Sequence, residues 1–322
     1  MGSRMPETDN HTDLVGELSW STEQRNPRTM DLDQLAPGEL VATILSEDAQ
    51  VAGAVQAVQQ QIGHAVELAV AALAAGGRIH YVGSGTSGRL GVLDAVELFP
   101  TYRVGDDMVV AHLAGGMDAM MRAAEGAEDD EQAGRELAGQ MTPQDLVVGL
   151  AASGRTPYVR GALAAARELG CATALVSANT SAPLAELADV AILVDTGPEV
   201  VTGSTRMKAA TAQKLVLNTF STATMVRMGK TYSNLMTDVV ATNAKLRRRM
   251  VTMLQQASGV DEAAAERALA EADGQIRPAL VALLAGASVA DASRVLAELS
   301  PDPSRREDPA GIRTATERLR EG

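Results

Sequence analysis

The apolar positions of this chain change period twice. From Glu39 to Ala75 they recur at helical spacing, as Leu40, Ile44, Val51, Val55, Val58, Ile62, Val66, Val70 and Leu73. The run reads as two long helices, or as one interrupted near Ser46-Glu47-Asp48, where an N-cap is available, and Gly76-Gly77 ends it. Ahead of it, Asp31 to Leu35 begins a helical stretch that Pro37-Gly38 breaks, and the polar Thr22-Glu23-Gln24-Arg25-Asn26-Pro27 reads as a surface loop unless the rest of the chain gives it a role. From Arg78 the pattern becomes short apolar runs, at 79–82, 108–113, 144–150, 171–177 and 190–195. Helical segments separate them: one that Pro100 stops, then 117–133, 158–169 and 182–188. Strands alternating with helices in this way predict an α/β fold, a five-stranded parallel sheet covered on both faces. The third pattern is wholly helical, over 208–228, 233–253 and three short segments within 261–299 that form a small bundle. Residues 1–18, polar and rich in turn formers, predict a disordered start, and 301–322 a loose tail. The expected units are therefore 19–60, N-terminal helices; 61–235, the α/β domain; and 236–300, the C-terminal helical domain.

Composition narrows what such a fold does. The 322 residues carry a formal charge of −13, which argues against a nucleic-acid partner and against an anionic membrane surface. Any phosphate bound here is held locally, by backbone dipoles and a few side chains. A single cysteine, Cys171, leaves no disulfide framework, and four scattered histidines lack ligand spacing, so no metal is expected. No apolar stretch has the length of a membrane span and no signal h-region opens the chain, which predicts a soluble cytoplasmic protein. The basic run Lys245 to Arg249 reads as a solvated helix face.

The chemistry gathers at three Ser/Thr/Gly clusters, each placed after an expected strand. The first is Gly83-Ser84-Gly85-Thr86-Ser87-Gly88, between a buried strand and a helix N-terminus. Unpaired amides and the helix dipole favour an anion there, glycines let the backbone close on it, and the hydroxyls of Ser84, Thr86 and Ser87 suit a phosphate monoester. The loop also fits G-x-G-x-x-G, but the next strand ends in Ala114-Gly115-Gly116 without the carboxylate a dinucleotide ribose needs. A glycine-rich turn without a ligand is the plain alternative. The second cluster is Ser153-Gly154-Arg155-Thr156, and the third runs from Glu199 to Lys208, with Ser204 and Thr205 where N-cap hydroxyls belong. Three clusters at the carboxyl edge of one sheet favour one shared site. Nearby carboxylates are Asp94 and Glu97 on the helix after the first cluster, and Glu125 and Glu128, spaced to share a helix face. By default these carboxylates face solvent. The residues alone describe a sugar-phosphate or similar phosphate-ester site bearing candidate acid/base groups.

GSGTSGRLGVLDAVELFPTY, AAEGAEDD and TGSTRMKAATAQKLVLNTFSTATMVRMGKTYSNLM, with TEQRNP near the start, closely resemble the N-acetylmuramic acid 6-phosphate etherase family over about residues 19–300. The resemblance implies a flavodoxin-like sugar isomerase domain followed by a small helical domain, and a relation to glucokinase regulatory protein. It implies cleavage of the lactyl ether of N-acetylmuramic acid 6-phosphate to N-acetylglucosamine 6-phosphate and D-lactate, with no cofactor. Glu97 matches the proton donor to the leaving lactate, and Glu128, rather than Glu125, the second catalytic glutamate. The expected substrate-binding set is Ser84, Gly85, Thr86, Ser87, Ser153, Gly154, Arg155, Thr156, Ser204 and Thr205. Arg206 and Lys208 either attract the phosphate or the lactyl carboxylate or form structural ion pairs. Leu98-Phe99 stands where many members carry Cys-Pro. A regulatory sugar-phosphate binder and an aldose–ketose isomerase are the alternatives. Ten residues of helix between Ser87 and Glu97 span about 15 Å, so a sugar's length cannot bridge them in one subunit. A homodimer with shared active sites is expected, unless the helix breaks early.

Overall fold

The computed structural model describes residues 21–122, 124–239, 244–300 and 311–321. The expected disordered start at 1–18 lies outside them. Five strands form one parallel sheet: β1 (Ile79–Gly83), β2 (Val109–Leu113), β3 (Leu146–Leu150), β4 (Ala172–Ser177) and β5 (Val190–Leu193). Their order is β2-β1-β3-β4-β5, the flavodoxin-like arrangement, with Gly83 in register with both Leu113 and Leu150. The reversal of strand order after β2 opens a crevice at the carboxyl ends of β1 and β3, where ligands of such sheets bind.

Helices cover both faces, so successive strand residues point into two different cores. Tyr81 packs with α2 (Val51–Ala57), α3 (Gln59–Ala74), α4 (Gly85–Tyr102) and α7 (Lys208–Arg227). Its neighbour Val82 packs with α6 (Pro157–Leu169) on the other face, which α5 (Glu131–Glu136) extends. Pro157 opens α6 at the first helical position and Gly170, at φ 86°, closes it, each where its backbone preference belongs.

Several local expectations are corrected. Pro37 opens a helix, α1 (Pro37–Asp48), instead of breaking one. Pro100 does not stop α4, which runs on to Tyr102 and ends at the left-handed Arg103. A proline in the last turn removes only one backbone hydrogen bond, a cost that packing of Leu98 and Tyr102 outweighs. No long helix follows β2: 3₁₀ turns at Met117–Met120 and Ala127–Asp129 precede α5, because Gly115, Gly116 and Gly126 adopt positive φ. Glu125 and Glu128 therefore do not share a helix face. The expected helix over 233–253 is a hairpin, β6 (Thr231–Tyr232) and β7 (Leu235–Met236), and later α8 (Ala244–Ser258), with Ser233 in the left-handed turn.

α9 (Glu262–Glu271), α10 (Ile276–Ala285) and α11 (Val289–Leu299) form the C-terminal bundle with α8. The expected loose tail is instead helical over Gly311–Glu321, as α12, which buries Ile312 and Ala315 against α10 and α11. Residues 301–310 and 322 lie outside the described set. The Arg277 guanidinium donates to the Gly229 carbonyl at 2.7 Å, fastening the bundle to the end of α7. The boundaries expected at 60/61 and 235/236 fall inside α3 and inside the β6–β7 hairpin.

A polar cluster runs across neighbouring strands, from Asp145 just before β3 through His80 of β1 to His112 of β2. The rings of His80 and His112 stack, and their nitrogens meet at 2.9 Å. Nε2 of His80 lies 3.1 Å from Asp145, which also accepts the amides of Arg78 and Thr142. Burial, then the neighbouring His80 and Arg78, pull the His112 pKa down to about 4. Burial likewise lowers the pKa of His80 against the pull of Asp145. An imidazole depressed on folding contributes stability above its unfolded pKa of about 6.5, lost as pH falls toward the folded value. Between pH 7 and pH 5 His112 alone removes about 2 kcal/mol from the folding free energy. Urea unfolding of His112→Gln at the two pH values is expected to show a smaller loss than the parent; parallel losses would contradict the assignment.

Candidate active site

The crevice begins where β1 runs into α4. Gly83 and Gly88 lie against each other: a Cβ on Gly88 would stand 2.6 Å from the Gly83 carbonyl oxygen and 2.5 Å from Leu113 Cδ1. Only hydrogen at both positions lets the helix start directly above the strand end. Ser84 is the N-cap residue but no side chain caps α4 among the described residues, so its first amides stay open toward the crevice beside Thr86 and Ser87. Ser84 is buried, and its hydroxyl lies 3.5 Å from Oε2 of Glu128.

β3 neighbours β1, so the 153–156 loop meets this cradle from the side. Gly154, at φ 67°, turns the chain, and Thr156 precedes α6 without capping it through its side chain. Buried Asn179, after β4, donates to the Ser153 carbonyl at 2.8 Å, and Ser177 donates to that of Ala152. Sequence reasoning passed over Asn179; its only signal was an Asx-turn residue two positions after a strand.

The 199–207 loop reaches the crevice from α7, and here an expectation changes. Ser204 and Thr205 do not cap α7. Glu199, fully buried, does so, accepting the amides of Lys208 at 2.9 Å and Ala209 at 3.0 Å. Burial raises its pKa, opposed by those two amides. The start of α7 thus already holds an anion, and Ser204 and Thr205 stay partly exposed. Further along α7, Gln213 donates to the Ser87 carbonyl at 2.8 Å and links this helix to the cradle.

Lys208 is a structural ion pair. Its ammonium, fully buried, lies 2.9 Å from Oε2 of Glu47 on α1. The same carboxylate takes both Arg28, through Nε and Nη2, and Asn26 at 2.8 Å. Arg28 chiefly, then Lys208 and Asn26, overcome burial and hold the Glu47 pKa at about 2. The TEQRNP segment is therefore anchored rather than a free loop. Thr22 accepts from the Gly203 amide, Asn26 donates to Pro198 and Thr29 donates to Val200, so the segment straps the 199–203 loop.

The glutamates sit in different surroundings. Glu128 stands over the cradle, while Glu125 makes no hydrogen bond or ion pair among the described side chains. Glu97, exposed, lies twelve residues into α4, about 18 Å from the helix start. It lines a separate groove of about 250 Å³ between α4 and α7. Asp94, one turn earlier, is buried and accepts from Tyr81 at 3.0 Å, Asn218 at 2.7 Å and Ser221 at 3.1 Å. The early helix break that would bring Glu97 to its own cradle does not occur.

A five-stranded flavodoxin-like sheet with serine- and glycine-lined loops at its carboxyl edge is the frame of a sugar isomerase (SIS) domain. Residues 119–223 match the SIS domain family, and residues 61–167 match the glucokinase regulatory protein N-terminal SIS domain. The chain is 55% identical over 274 residues to the N-acetylmuramic acid 6-phosphate etherase of Thermobifida fusca, covering 85% of this chain and 90% of that one. It is 52% identical over 277 residues to the etherase of Yersinia pestis, covering 85% and 94%. Among solved structures, a phosphoheptose isomerase from Francisella tularensis superposes with a TM-score of 0.48 at 15% identity, over 59% of this chain and 98% of that one. The chain belongs to the N-acetylmuramic acid 6-phosphate etherase family.

Glu47→Gln leaves the buried Lys208 ammonium without its counter-charge. Breaking one side of a buried pair costs about 3–5 kcal/mol, so a midpoint of urea unfolding well below the parent's is expected. An unchanged midpoint would mean that the strap and the start of α7 do not depend on this carboxylate.

Proposed function

We propose that this chain cleaves the D-lactyl ether of N-acetylmuramic acid 6-phosphate, releasing D-lactate and N-acetylglucosamine 6-phosphate. The observation that carries the reading is the 55% identity to an etherase across 85% of the chain. The crevice agrees with it chemically: open amides and hydroxyls at the start of α4 suit the 6-phosphate, and carboxylates suit the proton transfers.

In the open-chain sugar the C2 proton lies beside the aldehyde and is acidic enough to abstract. Glu128, above the cradle, takes it. The electron pair forms the C2–C3 double bond as the C3–O bond breaks, and Glu97 protonates the departing lactate oxygen. Water, deprotonated by Glu97, then adds at C3, and Glu128 returns a proton to C2. Elimination and addition sum to hydrolysis of an ether, and every proton is accounted for by two carboxylates. In this reading Ser84, Gly85, Thr86 and Ser87 hold the phosphate with Ser153, Gly154, Arg155 and Thr156, and Ser204 and Thr205 close the third side. The route belongs to amino-sugar recycling in the cytoplasm, where a charged phosphate ester is retained. No single helix among the described residues is long and apolar enough to cross a membrane.

The sugar would reach Glu97 from the cradle of a second copy. The face of α4 around Glu97 supports a homodimer: Leu93, Val96 and Phe99 are 51%, 62% and 58% exposed beside it. Three large apolar side chains on one helix face are expected to be covered in the working assembly.

D-lactate release from N-acetylmuramic acid 6-phosphate tests the reading. The parent is expected to release it, and Glu97→Gln and Glu128→Gln to lose about 10²–10⁴-fold in kcat. Binding of the sugar phosphate without lactate would support a regulatory binder, and ketose formation an isomerase.

A further inference from the structure

Elimination asks for more than two carboxylates. The leaving group carries a carboxylate two bonds from the ether oxygen, and a glutamate that has given its proton to that oxygen becomes an anion that repels it unless a cation sits beside it. Three cations near the loops are committed elsewhere: Lys208 and Arg28 to Glu47, and Arg89 to the carbonyls of Ala119 and Met120. The groove that holds Glu97 contains another.

Leu90, Leu93, Asp94 and Glu97 form one stripe of α4, at helical spacing, and Lys214 and Asn218 face them from α7. Lys214 is exposed, and its ammonium makes no hydrogen bond or ion pair among the described residues. It acts on Asp94 only through space, since Tyr81, Asn218 and Ser221 already saturate that carboxylate. A lysine bound to neither carboxylate of its own groove is free to take a third. The leucines beside it suit a methyl group, and the groove of about 250 Å³ has room for a three-carbon acid.

Resting on the reading of Glu97 as the acid at the ether oxygen, we propose that Lys214 is the binding residue for the lactyl carboxylate, with Leu90 and Leu93 against the lactyl methyl. Lys214 and Glu97 share a groove, so they enter whichever sugar site Glu97 serves as one unit. The cation holds the carboxylate before and after the C3–O bond breaks. It thereby gives uniform binding, which sets KM, while Glu97 sets kcat.

The experiment uses the full chain and two ligands, N-acetylmuramic acid 6-phosphate as substrate and N-acetylglucosamine 6-phosphate, which lacks the lactyl group, as competitive inhibitor. Lys214→Met is expected to raise KM about 10- to 100-fold, the loss of one charge-assisted pair, with kcat within a few-fold of the parent. The inhibition constant of N-acetylglucosamine 6-phosphate is expected to stay unchanged, and Lys214→Arg to recover most of the lost affinity. Lys214 is exposed, so neither change disturbs packing. An unchanged KM overturns the proposal, as does an equal loss for both ligands. So does the selective loss appearing in Arg206→Met, the exposed cation of the 199–207 loop, in place of Lys214→Met. A parent without lactate release, or a fully active Glu97→Gln, overturns the underlying reading with it. A normal Lys214→Met beside an inactive Glu97→Gln overturns this inference alone.

Discussion

The contact of Gly83 with Gly88 sets the terms for the rest of the molecule. It brings α4 down onto the end of β1, so the helix begins at the crevice with its amides open. From that point the geometry of a straight α-helix fixes where every later residue of α4 stands. Glu97 comes about 18 Å further on, beyond the reach of one sugar phosphate held at the cradle. If Glu97 is the acid proposed for the phosphate held at this cradle, an intact α4 rules out a single-subunit site, and the exposed apolar face around Glu97 is in keeping with the proposed pair of chains. The proposed phosphate site, acid and assembly all trace back to one close approach of backbone.

Polar interactions then hold the loops in place around that start. Glu199 spends its carboxylate on the first amides of α7, so this helix serves as scaffold where α4 and α6 begin with uncapped termini. Glu47 gathers buried Lys208 and Asn26 and the exposed Arg28, and so joins α7, α1 and the strap in one knot. Burying Glu47 and Lys208 together is tolerable only because they pair, and removal of either exposes the desolvation cost of the other. Gln213 and Asn179 transmit the positions of α7 and β4 to the cradle and to the 153–156 loop through backbone carbonyls.

The sheet was legible because five apolar runs of strand length, each bounded by glycine or polar residues, leave little alternative. The cradle was legible because glycine, hydroxyl and helix start fall within six residues. Where expectation failed, a tertiary term outweighed a local one. Pro100 sits in a helix that Leu98 and Tyr102 hold against the core, and glycines at positive φ dissolve the helix expected over 117–133. α12 was hidden by its charges: Ile312 and Ala315 make a narrow stripe that only the bundle gives meaning. Glu47, Glu199 and Asn179 were out of reach for a different reason. Their partners lie between 9 and 161 residues away, and no spacing rule connects a carboxylate to an ammonium across the whole sheet.

The central claim is that cradle and acid of one working site come from two chains. Mixing an inactive Ser87→Ala subunit with an inactive Glu97→Gln subunit, after dissociation and reassociation, tests it most directly. In a random mixture half the dimers are mixed, and each carries one site with both groups intact. About a quarter of the parental lactate release is expected to return. Mixed dimers that form and stay inactive would contradict it.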